Sequence, residues 1–150
     1  MKGLYIHIPF CEAICTYCDF AKELAKPEKK EAYIEALIKE ILYYQKDLNN
    51  VKTVYIGGGT PSSLSVSLLE ILLSKIKDIV SLEQVIEYTI ECNPNDITLE
   101  KANLFKKYGI NRISLGVQTF NEAQLKFLNR KHNNQDVLKS VYYFKKAGID

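Results

Sequence analysis

Four short, apolar, β-rich runs punctuate the chain: GLYIHI at 3–8, KTVYIG at 52–57, VIEYTIE at 85–91 and RISLGV at 112–117. Between them apolar residues recur at three- and four-residue spacing, the period of a helix with one buried face. A first helix starting near Pro27, a favoured first-turn residue, places Ile34, Leu37, Ile38, Ile41 and Leu48 on one side. A second, behind a serine-rich approach, carries Leu68, Leu69, Leu72, Leu73 and Ile76. Thr98 can cap a third that Gly109 would end, and Asn121 with Gln124 has the look of a capping box opening a fourth. A last helix runs from about Gln135 to Lys146 and stops at Gly148, after which Ile149 and Asp150 suggest the start of another strand. Strands alternating with helices predict an α/β fold with a parallel sheet.

Composition narrows the class. A chain of 150 residues, 47% hydrophobic and 25% charged, can bury one core and is neither disordered nor fibrous. The net charge of +2, with Lys and Arg scattered among Asp and Glu, gives no basic field for nucleic acid. No apolar stretch reaches the roughly 20 residues that cross a bilayer, and Met1-Lys2-Gly3 leads straight into a strand, so a cytoplasmic location is expected. In that compartment four cysteines read as metal ligands, redox groups or core residues rather than disulfides.

Three of the four fall in HIPFCEAICTYCDF, a C-x3-C-x2-C spacing directly after the first predicted strand. Three thiolates can converge there on one inorganic centre. Ordinary 4Fe-4S sites use four cysteines, so a triplet leaves one iron open to a substrate or cofactor. A zinc site completed by Cys92, His7 or His132 is the alternative, although structural zinc usually shows a second close ligand pair and none occurs here. Cys92 on its own reads as a small buried residue.

The cysteine spacing, with Tyr17 just before the last Cys, resembles the signature of radical S-adenosylmethionine (radical SAM) proteins. HIPFC and YCDF resemble in particular the oxygen-independent coproporphyrinogen III oxidase family and its heme chaperone branch. The resemblance implies a 4Fe-4S cluster on Cys11, Cys15 and Cys18, with S-adenosylmethionine chelating the fourth iron and cleaved by one-electron reduction. It implies a partial (β/α)6 barrel truncated after about four βα units. Residues 1–150 would then be the N-terminal part of the core domain, with the remaining strands and a C-terminal domain lying beyond it. Heme or porphyrin, an electron donor such as a flavodoxin or ferredoxin, and membrane respiratory proteins are the partners it brings.

The other candidate residues sit at the ends of the later strands. GGGTP at 57–61 is a turn whose glycines let backbone approach closely, and the resemblance makes Gly58, Gly59 and Thr60 contacts to the cofactor amino group. Glu91 in ECNP is either a salt-bridged strand-end acid or, by resemblance, a partner of a polar part of the cofactor. Gln118 in GVQTF and Arg130 twelve residues later are a turn residue and a solvated charge, or, by resemblance, lining of the same cavity. Tyr5 shares a strand face with His7 and matches a family position near S-adenosylmethionine, while His7 itself could serve the cluster or the core. His132 reads as a surface residue, and the pairs Tyr43-Tyr44 and Tyr142-Tyr143 as half-buried helix positions. In βα barrels the carboxyl ends of the strands carry the active site, and these motifs converge on that rim. Within the family Phe20 favours the heme chaperone over the decarboxylating oxidase, which typically has a further Cys at that place in YCGC.

Anaerobic reconstitution with iron and sulfide should therefore give a brown, oxygen-sensitive protein. Ala at Cys11, Cys15 or Cys18 should abolish the visible absorbance, and Cys92→Ala should leave it intact. A colourless Cys92→Ala protein, or a Cys15→Ala protein with full iron, would contradict the assignment.

Overall fold

The computed structural model describes residues 2–149. Its strands are β1 (Lys2–Ile8), β2 (Val51–Gly58), β3 (Glu87–Cys92) and β4 (Arg112–Leu115). Its helices are α1 (Pro27–Tyr43), α2 (Val66–Ile79), α3 (Leu99–Lys107), α4 (Glu122–Phe127) and α5 (Asn134–Lys146). The strands form one parallel sheet in the order β1-β2-β3-β4, with Tyr5 opposite Tyr55, Tyr55 opposite Thr89 and Thr89 opposite Arg112. Every strand is thus joined to its neighbour by a helical crossover, as parallel pairing requires.

Alternation along the strands separates two faces. Ile6 and Ile8, Val54 and Ile56, and Tyr88 and Ile90 are buried in one core with Leu69, Leu72, Leu73 and Ile76 of α2 and with Ala102, Leu104 and Phe105 of α3. The other face is polar, carrying Tyr5, His7, Tyr55, Glu87, Glu91, Arg112 and Ser114. Here Arg112 donates to Glu87 at 3.3 Å and to the Thr89 hydroxyl at 3.4 Å. A sheet apolar on one side and polar on the other has its second side free for a site.

The helix ends follow their capping chemistry, with some shifts from the sequence pattern. Ser65 accepts from the Leu68 amide at 3.3 Å and Thr98 from the Lys101 amide at 3.1 Å. Gly109 and Gly148 take positive φ after α3 and α5. The first helix stops at Tyr43, so Leu48 sits in a following 3-10 turn, Gln45–Leu48, rather than on the helix face. Asn121 caps α4, but Gln124 does not close the box: its side-chain oxygen accepts from the Thr119 hydroxyl at 2.7 Å instead. The reciprocal capping box belongs to α5, between Asn133 and Asp136. Val85 and Ile86 precede β3, because a 3-10 turn at Leu82–Gln84 delays the strand. The strand suggested at Ile149 and Asp150 is not tested at Asp150, which lies outside the described residues; Ile149 is buried.

The core should respond unequally to two substitutions. Leu72→Ala leaves a cavity against the sheet and should cost about 2–5 kcal/mol in urea unfolding. Tyr88→Phe should be neutral or stabilising, since the buried Tyr88 hydroxyl has no hydrogen-bond partner among the described residues and its removal ends a desolvation penalty. A loss of more than about 1 kcal/mol in Tyr88→Phe would show that the hydroxyl is satisfied.

Candidate active site

The three clustered cysteines ride on a loop closed at its base. Phe10 bridges to Glu23, with the Cys11 amide donating to Glu23 O at 3.0 Å and the Glu23 amide to Pro9 O at 2.8 Å. The loop's far side is tied to the end of α4: Asn129 Nδ2 donates to Ile14 O at 2.7 Å and the Thr16 hydroxyl to Phe127 O at 3.3 Å. Beneath it lies the GGGTP turn. The Gly59 amide donates to Ile8 O at 2.8 Å and the Thr60 amide to Phe10 O at 2.7 Å. A Cβ on Gly59 would stand 2.8 Å from Phe10 O and 2.9 Å from the Pro9 carbonyl carbon, so only glycine fits. Gly58 has φ +119°, and a Cβ there would strike the His7 ring at 2.6 Å.

A cavity of about 290 Å³ opens at this end of the sheet. Cys11, Cys15 and Cys18 line it together with Tyr17, Gly58, Gly59, Thr60, Glu91, Gln118 and Arg130. Tyr5 does not: it is 58% exposed further down β1, donates to or accepts from His7 Nδ1 at 2.9 Å, and stacks on Tyr55. Tyr55 supplies the link to the cavity, because its hydroxyl donates to Glu91 Oε1 at 2.5 Å while the Gly58 amide donates to Oε2 at 3.0 Å. Glu91 is therefore a hydrogen-bonded acceptor and not a salt-bridged strand end. Partial burial and the Glu91 carboxylate together hold the Tyr55 phenol up to about 12.

Two donors are aimed at sulfur. The Thr60 hydroxyl lies 3.4 Å from Cys11 Sγ and Arg130 Nη1 3.5 Å from Cys15 Sγ. Burial raises the Cys11 thiol above its usual range, an effect that the Thr60 hydrogen bond opposes. Arg130 is no solvated charge: its Nη2 donates to Asn93 Oδ1 and Gly116 O, both at 2.6 Å, and its Nε is buried without a partner among the described residues. All four cysteines are free thiols. Among the described residues, no three His, Cys, Asp or Glu side chains are gathered as a single metal ion needs. Three thiols around one cavity, two of them facing donors, and an orphaned guanidinium N–H suit a larger anionic sulfur-ligated group. Cys92 borders the cavity, but its thiol is buried, donates weakly to Ile90 O at 3.9 Å, and is held in the neutral form by desolvation.

The pattern of the radical SAM superfamily matches residues 5–150. The chain belongs to that superfamily. Curated relatives include the protein named heme chaperone HemW of Lactococcus lactis subsp. lactis, 48% identical over 99% of this chain. That of Bacillus subtilis is 39% identical over the whole of it. The chain spans about 40% of the length of these relatives. Among solved structures, the Escherichia coli coproporphyrinogen III oxidase HemN, described as a radical SAM enzyme, superposes with a TM-score of 0.88 at 27% identity. The match covers 99% of this chain and 35% of that one. The four parallel strands thus match part of a radical SAM barrel, and membership of the superfamily implies a 4Fe-4S cluster and S-adenosylmethionine.

Some of the arrangement escapes a linear reading. Asn93, which lines the cavity, joins Ser62, Asp96 and Lys101 in a hydrogen-bonded cluster, with Ser62 donating to Asp96 at 2.9 Å and accepting from the Asn93 amide at 2.9 Å while Lys101 donates to Ser62 O at 2.6 Å. The available signal was the pair of turn sequences PSS and NPND at adjacent strand ends. His132 is not on the surface: it is 4% exposed, with Nε2 3.1 Å from Val117 O and Nδ1 without a partner among the described residues. The left-handed turn at Asn129 folds the segment 129–132 back beneath the end of β4. Tyr44 and Tyr143 are half-buried as expected, whereas Tyr43 and Tyr142 are mostly exposed.

Gly59→Ala should displace the cysteine loop by forcing Pro9 and Phe10 away. Its cost should be about 1–3 kcal/mol, with reduced iron uptake on reconstitution. Gly148→Ala, remote from the loop, should keep full iron uptake. Equal iron content in Gly59→Ala and the parent would show that this contact does not position the thiols.

Proposed function

We propose that this chain is part of a cluster- and S-adenosylmethionine-binding heme chaperone, which hands heme to respiratory proteins. The observation that carries the reading is Phe20. It is 73% exposed and borders the cavity beside the cysteines, at the place where the oxidase branch has a further cysteine. A phenyl ring cannot act as a thiolate. The heme chaperone names of relatives 39–48% identical support the same branch.

In this reading Cys11, Cys15 and Cys18 hold the 4Fe-4S cluster, and Gly58, Gly59, Thr60, Glu91, Gln118 and Arg130 surround the S-adenosylmethionine. Tyr17 covers one side and Tyr5 acts from the adjoining sheet face. The cluster and cofactor supply one-electron chemistry at a sulfonium centre; the chain supplies ligation, orientation and shelter from water. Glu91, fixed by Tyr55 and Gly58, is a ready acceptor for an ammonium group, and the cavity-lining Arg130 brings a guanidinium charge that favours a carboxylate. Residues 1–150 are the N-terminal part of the radical SAM core. Reduced thiols suit the cytoplasm, with a flavodoxin or ferredoxin as donor and no role for nucleic acid.

The second reading, oxidative decarboxylation of coproporphyrinogen III, rests on the superposition with HemN. One comparison on the full-length protein separates the two. Heme transfer to an acceptor apoprotein without conversion of coproporphyrinogen III is the expected outcome. S-adenosylmethionine-dependent formation of protoporphyrinogen IX would favour the oxidase. In either case S-adenosylmethionine should alter the paramagnetic resonance spectrum of the reduced cluster, and Glu91→Ala should weaken that change several-fold without loss of iron.

A further inference from the structure

One side chain joins the two donors that face the cysteines. Asn93 follows β3 directly, and its amide group is used at both ends. Nδ2 donates to the Thr60 hydroxyl oxygen at 3.3 Å, and Oδ1 accepts from Arg130 Nη2 at 2.6 Å. Those two partners in turn approach different sulfurs, Thr60 that of Cys11 and Arg130 that of Cys15. The backbone of Asn93 is itself anchored, its amide donating to Ser62 Oγ at 2.9 Å, while Lys101 Nζ donates to Ser62 O at 2.6 Å. We propose that Asn93 is a positioning residue for the cysteine-held cluster, a single amide that aims the Thr60 hydroxyl at Cys11 and the Arg130 guanidinium at Cys15. This rests on the cluster reading above.

The chemistry requires an amide. A hydroxyl oxygen that accepts from Nδ2 turns its own proton away from that amide, and Cys11 Sγ stands at 3.4 Å to receive it. A guanidinium held on one Nη by Oδ1 and Gly116 O presents the other Nη to Cys15. Aspartate would keep the acceptor for Arg130 and lose the donor to Thr60; leucine or alanine would lose both. Hydrogen bonds to ligating sulfur stabilise the more negative, reduced state of an iron–sulfur cluster and so raise its potential. Outer partners that orient first ligands are commonly worth about 10–100-fold in metal affinity or activity.

The test is a dithionite redox titration, followed by paramagnetic resonance, of the full-length, anaerobically reconstituted protein. Asn93→Ala should retain iron and make cluster reduction about tenfold less favourable, a shift of roughly 59 mV to more negative potential for one electron. Thr60→Val should shift it in the same direction, and the double variant should fall short of the sum of the two, because Asn93 acts through Thr60. An iron-replete Asn93→Ala protein with the parental potential and spectrum would overturn the proposal. If Asn93→Ala takes up no iron, Asn93→Asp decides: Thr60→Val should have a smaller effect in the Asn93→Asp background than alone, and an undiminished effect overturns the proposal. A parent protein that binds no cluster would instead defeat the underlying cluster reading, and this proposal with it.

Discussion

The docking of one loop on one turn organises this site. The chain after β1 crosses the end of β2 so closely that Gly59 has no room for a Cβ, and two backbone hydrogen bonds, Gly59 to Ile8 and Thr60 to Phe10, stitch the layers together. The amides of the GGGTP turn are therefore spent inside the protein. Gly58 serves Glu91, Gly59 serves β1 and Thr60 serves the cysteine loop. Close backbone approach is what the glycines provide, but the first thing that approaches is the segment carrying the thiols. Ligand contact along this turn falls to side chains and carbonyls.

Below that junction the strand ends are braced by buried polar groups. Ser62 meets Asp96, Lys101 and the Asn93 backbone. Desolvation raises the Asp96 carboxyl and lowers the Lys101 amine, and each opposes the other's shift by its charge. Buried polar networks are costly unless their members are satisfied, and in this one Ser62, Asp96 and Lys101 each have a hydrogen-bond partner. It fixes Asn93 and Thr60 relative to the sulfurs. The buried polar groups here contrast with the exposed Phe20 and Phe127 beside the cysteine loop, where large apolar side chains stand in solvent.

The two faces of the sheet divide the work. One packs Ile, Leu and Val against the helices and supplies the burial that holds the fold. The other keeps hydroxyls, carboxylates and an arginine in reach of one another. Tyr55 shows how the polar face supports the rim: it lies beside Tyr5 and Thr89 in register, yet its hydroxyl reaches up to Glu91 at the strand end. Changes well below the cavity can therefore alter the carboxylate that borders it.

The sequence by itself determined the alternation of strands and helices, because periods of two and of three to four residues are set by backbone geometry and show through as apolar spacing. It also determined the cysteine triplet, since C-x3-C-x2-C lies within one loop, and the strand-end position of Gly58, Glu91 and Gln118, since a parallel sheet puts the end of every strand on one rim. Tertiary structure decided the rest. Arg130 reaches Cys15 across 115 positions of chain only because α4 and the turn at Asn129 bring it back under the loop. His132 is buried for the same reason, although its charged neighbours make it look like surface. Asn93 shows nothing in sequence beyond an Asn-Pro turn, and Tyr5, which shares its strand face with His7, stops short of the cavity. Hydrogen bonds between residues far apart in the chain leave no periodic trace, so which side chains meet is fixed only when the sheet, the loop and the helices have packed.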